Sequence, residues 1–317
     1  MCNRYTVNKT LVNILLGLSS LLWGTSFVFT KEIFAIEPHI TVLQLLTFRI
    51  FLATAVTIPL LWVSRQLEPL RRADLKWFLL LALAEPFLYS ICETSGVSRV
   101  SGSLSAVVVA TIPFFVSLCN AAVYHERLRA VVLAGIQLST VGIALIVWNG
   151  SALAENSVQL RNGLLLLGAA VAIAVLFTLI LVRVAHHYRA TTITAYQNLI
   201  GLCYFLPLML CTDGSGLTTL HYSPRLILLV AVLGILCSTV AYMFYNIGVQ
   251  RIGATAACVY TNTIPIFTFL TAIVLGQEHF TWRHLAGIVV VVIGATLAQL
   301  PPRRSERVSS NSHTLRS

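Results

Sequence analysis

Charge is what this sequence most lacks. Asp, Glu, Lys and Arg make up 10% of its 317 residues, while 57% are apolar. A soluble chain of this size needs far more charge to keep its surface wet, so a soluble globular fold is excluded. Sequence signatures of chemistry are missing too. The chain has no G-x-x-x-x-G-K-[ST] loop to cradle nucleotide phosphates, which argues against an ATP-driven pump within it. It has no H-E-x-x-H and no G-x-S-x-G, so it reads as a protein other than an enzyme. The seven cysteines (Cys2, Cys92, Cys119, Cys203, Cys211, Cys237 and Cys258) have neither CxxC nor metal-ligand spacing, and most fall inside apolar runs as small core residues. The eight histidines are scattered over loops, the tail and the start of one apolar run at His284. No metal and no cofactor is therefore expected. The net charge of +10 reads as membrane topology rather than as a nucleic-acid surface.

What the sequence has in quantity is apolar runs of about 20 residues, each able to cross a ~30 Å hydrocarbon core as a helix. Ten are expected, at about 11–30, 42–63, 77–93, 102–123, 130–148, 162–182, 192–211, 225–246, 254–275 and 283–300. Arg4 and Lys9 precede the first, but no A-x-A-like cleavage site follows, so it reads as a retained span. The tail 301–317 is Ser- and Arg-rich and is expected to be disordered.

The chain repeats itself. Sliding it by 152 residues lays 96–148 on 248–300 without a gap, with 16 of 53 positions identical. GVSR at 96–99 meets GVQR, TIPFF at 111–115 meets TIPIF, Glu126 meets Glu278, and LAGI at 133–136 meets LAGI. Apolar composition explains shared Leu and Val; it does not explain Arg, Pro, Glu and three Gly in one register. A weaker echo sets Ile40-Thr41-x-x-Gln44 on Ile193-Thr194-x-x-Gln197. Placing the N-terminus in the cytoplasm and alternating puts 15 Lys and Arg inside, against five outside: Lys31, Arg99, Arg161, Arg225 and Arg283. This positive-inside bias places both termini in the cytoplasm. Five spans per copy is an odd number, so the second copy enters the membrane upside down. The fold class expected is an all-α membrane protein of ten transmembrane helices, a 5+5 inverted-topology repeat, as in secondary transporters. The organisation is a cytoplasmic N-terminus (1–10), a first repeat (11–148), an external linker (149–161), a second repeat (162–300) and a cytoplasmic tail (301–317).

The run LLWGTSFVFTKEIF at 21–34, LTFRIFLA at 46–53, the two TIP-centred segments, and the Glu-containing loops HERL and QEHF with Gly-spaced last helices together resemble the EamA family of the drug/metabolite transporter superfamily. The resemblance covers about residues 11–300. It implies a cavity lined mainly by spans 1, 3, 4, 6, 8 and 9, and export or uptake of small polar or amphipathic metabolites such as amino acids, or of drugs. It places the protein in a membrane, with the bacterial inner membrane expected. Arg49 has no counterpart in the second copy, where the shift lands near Leu202, so the halves are not functionally equal. A membrane sensor or scaffold that keeps the fold without transport is the alternative reading.

Polar groups in apolar helices are costly and face protein or a wet cavity. Helical spacing puts Glu85, Tyr89, Cys92 and Glu93 on one face of span 3, and Ser238, Tyr242, Tyr245 and Asn246 on one face of span 8. Trp23 and Ser26 on span 1, and Tyr260 and Asn262 on span 9, complete the substrate-cavity set. The plainer readings are interfacial anchoring for Trp23 and Tyr245, self-bonding to the helix for Ser26, and simple solvation for Glu93 at the span end. Pro113 and Pro265 fall mid-span and predict helix kinks. Gly135, Gly142, Gly287 and Gly294 fit close helix packing. Arg49 and Glu85 each lie about eight residues, roughly 12 Å, inside the same membrane face. The simplest arrangement for them is a buried ion pair; the competing readings are Arg49 bonding helix-end carbonyls and Glu85 staying protonated. Glu85 is also the one mid-span acid, so coupling to protons requires that it can be protonated in the cycle; facilitated diffusion without protons is the alternative. The lipid bilayer and a small-molecule substrate are the partners expected.

Overall fold

In the computed structural model, residues 9–123, 157–277 and 281–298 are described, with positions 131, 134–135, 137–138, 141–142 and 145 between them. The described residues are helical and contain no strand. Helix α1 (Lys9–Ile36) has 28 residues, about 42 Å at 1.5 Å per residue. After a short turn α2 (Val42–Val63) begins on a capping box: the Thr41 hydroxyl accepts from the Gln44 amide, and the Gln44 side chain accepts from the Thr41 amide. Helix α3 (Leu75–Val97) is broken at Leu83–Leu88 by a π turn. The pieces α4 (Gly102–Val109) and α5 (Ile112–Val123) follow. The second half holds α6 (Ser157–Ala185), α7 (Ala190–Thr212), α8 (Pro224–Ile252), α9 (Ala254–Val259), α10 (Ile264–Val274) and α11 (Trp282–Ala298). Six of these, α1, α2, α3, α6, α7 and α8, are long and apolar enough to cross a membrane. Their outward sides carry large apolar residues such as Leu60, Trp62, Leu165, Ile227 and Leu228, as a lipid-facing surface requires. Of the expected span at 130–148, positions 131, 134–135, 137–138, 141–142 and 145 are described and helical; the others lie outside the described residues.

The packing repeats along with the sequence. Helix α1 crosses α8 antiparallel: the Ser19 hydroxyl donates to the Ala241 carbonyl, and the Cys237 thiol to the Leu22 carbonyl. In mirrored fashion α3 lies antiparallel to α6, with Gly96 against Leu167 at one end and Phe78 and Leu81 in one core with Phe177 and Leu181 at the other. The pair α1·α10 is matched by α6·α5, and α2·α8 by α7·α3. Helices α2 and α7 pack on each other. Thr41 Oγ1 donates to Asp213 at 2.6 Å where α2 starts and α7 ends, and Thr192 Oγ1 donates to the Gln66 carbonyl at the opposite ends. Directions follow step by step: α1 opposes α2, α2 opposes α7, and α7 opposes α6. Helix α6 therefore runs opposite to α1, its equivalent in the repeat.

The prolines do not kink continuous helices. The expected span at 102–123 stops at Val109, turns through Ala110 and Thr111, and restarts at Ile112 with Pro113 in the first turn. The span at 254–275 stops at Val259, passes through a 3-10 segment (Tyr260–Thr263), and restarts at Ile264 with Pro265 in the first turn. Proline suits a first turn, where its missing N–H has no helical partner to lose. The weaker sequence echo also fails as a structural one. Thr41 caps α2, whereas Thr194 lies inside α7 and donates to the Ala190 carbonyl. Glycine does permit close approach. A Cβ on Gly142 would sit 2.8 Å from the Gly287 carbonyl oxygen, and one on Gly234 would sit 2.7 Å from the Arg49 carbonyl oxygen.

Candidate binding cavity

The π turn of α3 sets up the site. Glu85 leaves helical geometry (φ −141°, ψ 121°) ahead of Pro86, since the ring of a proline disfavours helical backbone in the residue before it. The break frees the Glu85 carbonyl, which accepts from Gln197 Nε2 of α7 at 2.9 Å, so a neighbouring helix re-satisfies it. It also turns the Glu85 side chain toward α8, where Tyr242 OH donates to Oε1, joined more weakly by Ser90 Oγ at 3.4 Å. Helix α8 carries its own π segment, Leu233–Val240, just ahead of Tyr242. Under the 152-residue shift this overlaps the break in α3, so both copies loosen the same helix. Such interruptions recur at functional sites.

Between these helices lies a cavity with about 750 Å³ of empty space, its open mouth included. Its walls come from both copies: Trp23, Ser26 and Phe27 of α1; Glu85, Tyr89, Ser90 and Glu93 of α3; Ala174, Phe177 and Thr178 of α6; and Tyr242 and Tyr245 of α8. Val109, Ile112, Cys258, Thr261 and Ile264 reach it from the interrupted segments, and Arg49 from α2. Trp23 stands edge-on to Tyr242 (5.0 Å between ring centroids) and tilted against Tyr245 (5.2 Å). Tyr245 OH meets Cys258 Sγ at 2.9 Å. Aromatic faces with a few charged and hydroxyl groups are what a small polar organic ligand needs.

Six of the nine residues expected to form the cavity line it: Trp23, Ser26, Glu85, Tyr89, Tyr242 and Tyr245. The Ser26 hydroxyl donates to the Trp23 carbonyl, so its hydrogen is used within the helix. Asn246, Tyr260 and Asn262 lie outside the lining. Asn246 Nδ2 donates to Thr194 Oγ1 between α8 and α7. The Tyr260 carbonyl accepts from Ser20 Oγ. Asn262 is buried in the 3-10 segment with neither amide atom bonded. Glu93, expected to be merely solvated, instead reaches the cavity and accepts from Tyr89 OH at 3.4 Å. It lies four residues, about one turn, beyond Tyr89 in the regular part of α3 and so shares its face.

Arg49 and Glu85 share the cavity but form no direct ion pair. Within 4 Å the ion pairs among the described residues are Arg189–Glu68 and Arg225–Glu32. The Arg49 guanidinium donates to Ser238 Oγ at 3.2 Å instead. The reason is packing: α2 lies chiefly on α7 and α8 and only lightly on α3. A small annex behind the Glu85 wall, where α2, α3, α7 and α8 meet, is lined by Arg49, Glu85, Ser90, Gln197, Asn198 and Ser238 among others.

Comparison with known proteins agrees with this architecture. The sequence profile of the EamA-like transporter family matches residues 10–148 and again 161–299. The uncharacterized transporter YetK of Bacillus subtilis (strain 168) is 26% identical over 251 residues, covering 78% of this chain and 74% of its own. The uncharacterized transporter YcxC of the same organism is 29% identical over 287 residues, covering 87% and 89%. One solved crystal structure aligns over 89% of this chain and 98% of its own with a TM-score of 0.65 at 17% identity, which shows a shared fold. A transporter family and transporter relatives, rather than enzymes, match a chain whose long apolar helices enclose a polar cavity. The chain belongs to the EamA-like transporter family and is a multi-pass membrane transporter.

Proposed function

We propose that the protein is a secondary transporter that exports small polar or amphipathic metabolites, amino acids or related compounds among them, by alternating access. One observation carries this reading: a cavity with a buried carboxyl and an aromatic wall lies midway along helices drawn from two oppositely directed copies. Two such copies can exchange conformations, so that closing one end of the cavity opens the other. The full arrangement is ten spans, 5+5, with both termini in the cytoplasm of a bacterial cell. The aromatic pair of Trp23 and Tyr242 holds the apolar part of the cargo, and Glu85 and Arg49 meet its polar part. Glu85 is also the group that would exchange protons with the gradient.

The experiment is a metabolite comparison between cells lacking and cells overproducing the protein. An excess of one compound in the medium on overproduction, reversed in the deletion, identifies cargo and direction. A compound that binds the purified protein yet shows no net movement into sealed vesicles would favour the sensor reading.

A further inference from the structure

The annex behind Glu85 has room for roughly one water molecule. Four of the buried side chains that line it each keep one atom without a hydrogen-bond partner: Arg49 Nε, Glu85 Oε2, Gln197 Oε1 and Asn198 Nδ2. Each of these residues is at most 9% exposed. Orphaned buried polar atoms are rare, and four on side chains that line one small space call for a common partner. The four have a definite complement: Arg49 Nε and Asn198 Nδ2 are donors, while Glu85 Oε2 and Gln197 Oε1 are acceptors. A cation would meet the guanidinium, and an anion would meet the carboxyl oxygen. A neutral group with two donor hydrogens and two lone pairs fits all four, and water is the smallest such group.

We propose that the annex binds one structural water molecule, which donates to Glu85 Oε2 and Gln197 Oε1 and accepts from Arg49 Nε–H and Asn198 Nδ2–H. The water makes the connection between Arg49 and Glu85 that direct contact does not. It gives Gln197 and Asn198 of α7, a helix otherwise outside the main cavity, a defined task. They are positioning residues: they fix the water, and through it the carboxyl that faces the cavity. Gln197 acts twice, since its Nε2 also holds the Glu85 carbonyl. The inference stands apart from transport, because it concerns the resting protein and water alone.

The test is infrared spectroscopy of the full-length chain in lipid nanodiscs, in ordinary water and in water labelled with oxygen-18. The wild-type protein should show an internal O–H stretching band that moves on labelling. Gln197→Leu and Asn198→Leu should each lose that band and shift the carboxyl band of Glu85, which is identified by its disappearance in Glu85→Gln. Gln197 also bonds the Glu85 carbonyl directly, so Asn198 is the deciding variant: a Glu85 band left where it is in Asn198→Leu overturns the proposal. A high-resolution density map of the wild-type chain decides the matter without any variant. One water peak within hydrogen-bond distance of the four atoms supports the site. Direct Arg49–Glu85 contact, or density that follows bromide exchange, refutes it.

Discussion

Gly234 gives the sharpest test of the packing that positions the site. It lies in the π segment of α8 against α2, beside Arg49. A Cβ there would stand 2.7 Å from the Arg49 carbonyl oxygen, 3.0 Å from Leu52 Cβ and 3.4 Å from Arg49 Cα. Two of these atoms belong to the backbone, so the helices themselves must separate. Overpacking of this kind costs about 1–3 kcal/mol. Against it stands the usual gain of about 0.5–1 kcal/mol for replacing a helical Gly by Ala. Gly234→Ala should therefore destabilise the protein by up to roughly 2.5 kcal/mol. Gly168 of α6 provides the control, because a Cβ there meets nothing within 4 Å. Gly168→Ala should stabilise by about 0.5–1 kcal/mol, leaving about 1–3 kcal/mol between the two variants as the cost of the contact. The assay is equilibrium unfolding of the purified protein in mixed micelles by titration with sodium dodecyl sulfate. A Gly234→Ala protein as stable as Gly168→Ala would refute the close crossing of α2 and α8.

Other outcomes follow from single contacts. Tyr242→Phe removes the strongest donor to Glu85 and should cost about 1.5–3 kcal/mol of stability, measured by the same titration, and should raise the KM for cargo. Asp213→Ala removes the acceptor that ties Thr41 to the far end of α7 and should cost about 1 kcal/mol; the loss should vanish in a Thr41→Val background. Glu85→Gln should abolish the dependence of flux on a pH gradient, and unchanged dependence would remove Glu85 from coupling. Cysteines placed at Asn149 and Gln277 should both react with an impermeant reagent added outside, and protection of both would overturn the proposed topology.

Much of this architecture is legible in the sequence, for identifiable reasons. Long apolar runs with polar breaks mark helices such as α2 and α7 closely, because apolar length is what a bilayer demands. The repeat is visible because Pro, Gly, Arg and Glu recur at fixed intervals where composition cannot explain them. Less legible is how a helix rotates and where it breaks. Pro113 reads as a kink but begins a helix, because one span is built from two pieces. Glu93 reads as solvated because span ends usually are, yet its helical spacing from Tyr89 sets it on the cavity face, where the structure puts it. The depths of Arg49 and Glu85 are readable, but not which neighbour each faces; α2 lies on α7 and α8, and that depends on packing. Gln197 and Asn198 are adjacent polar residues in an apolar run, and that pairing was the available signal for the annex.

Alternating access through the cavity between the two copies is tested most directly at Ser90, which is buried at the wall shared by the cavity and its annex. In a background with the seven native cysteines replaced, Ser90→Cys is exposed to a membrane-impermeant thiol reagent in right-side-out and in inside-out vesicles. Alternating access predicts labelling from both faces, at rates that shift in opposite directions when cargo is added to one side. Labelling from one face only, whatever is added, would contradict it.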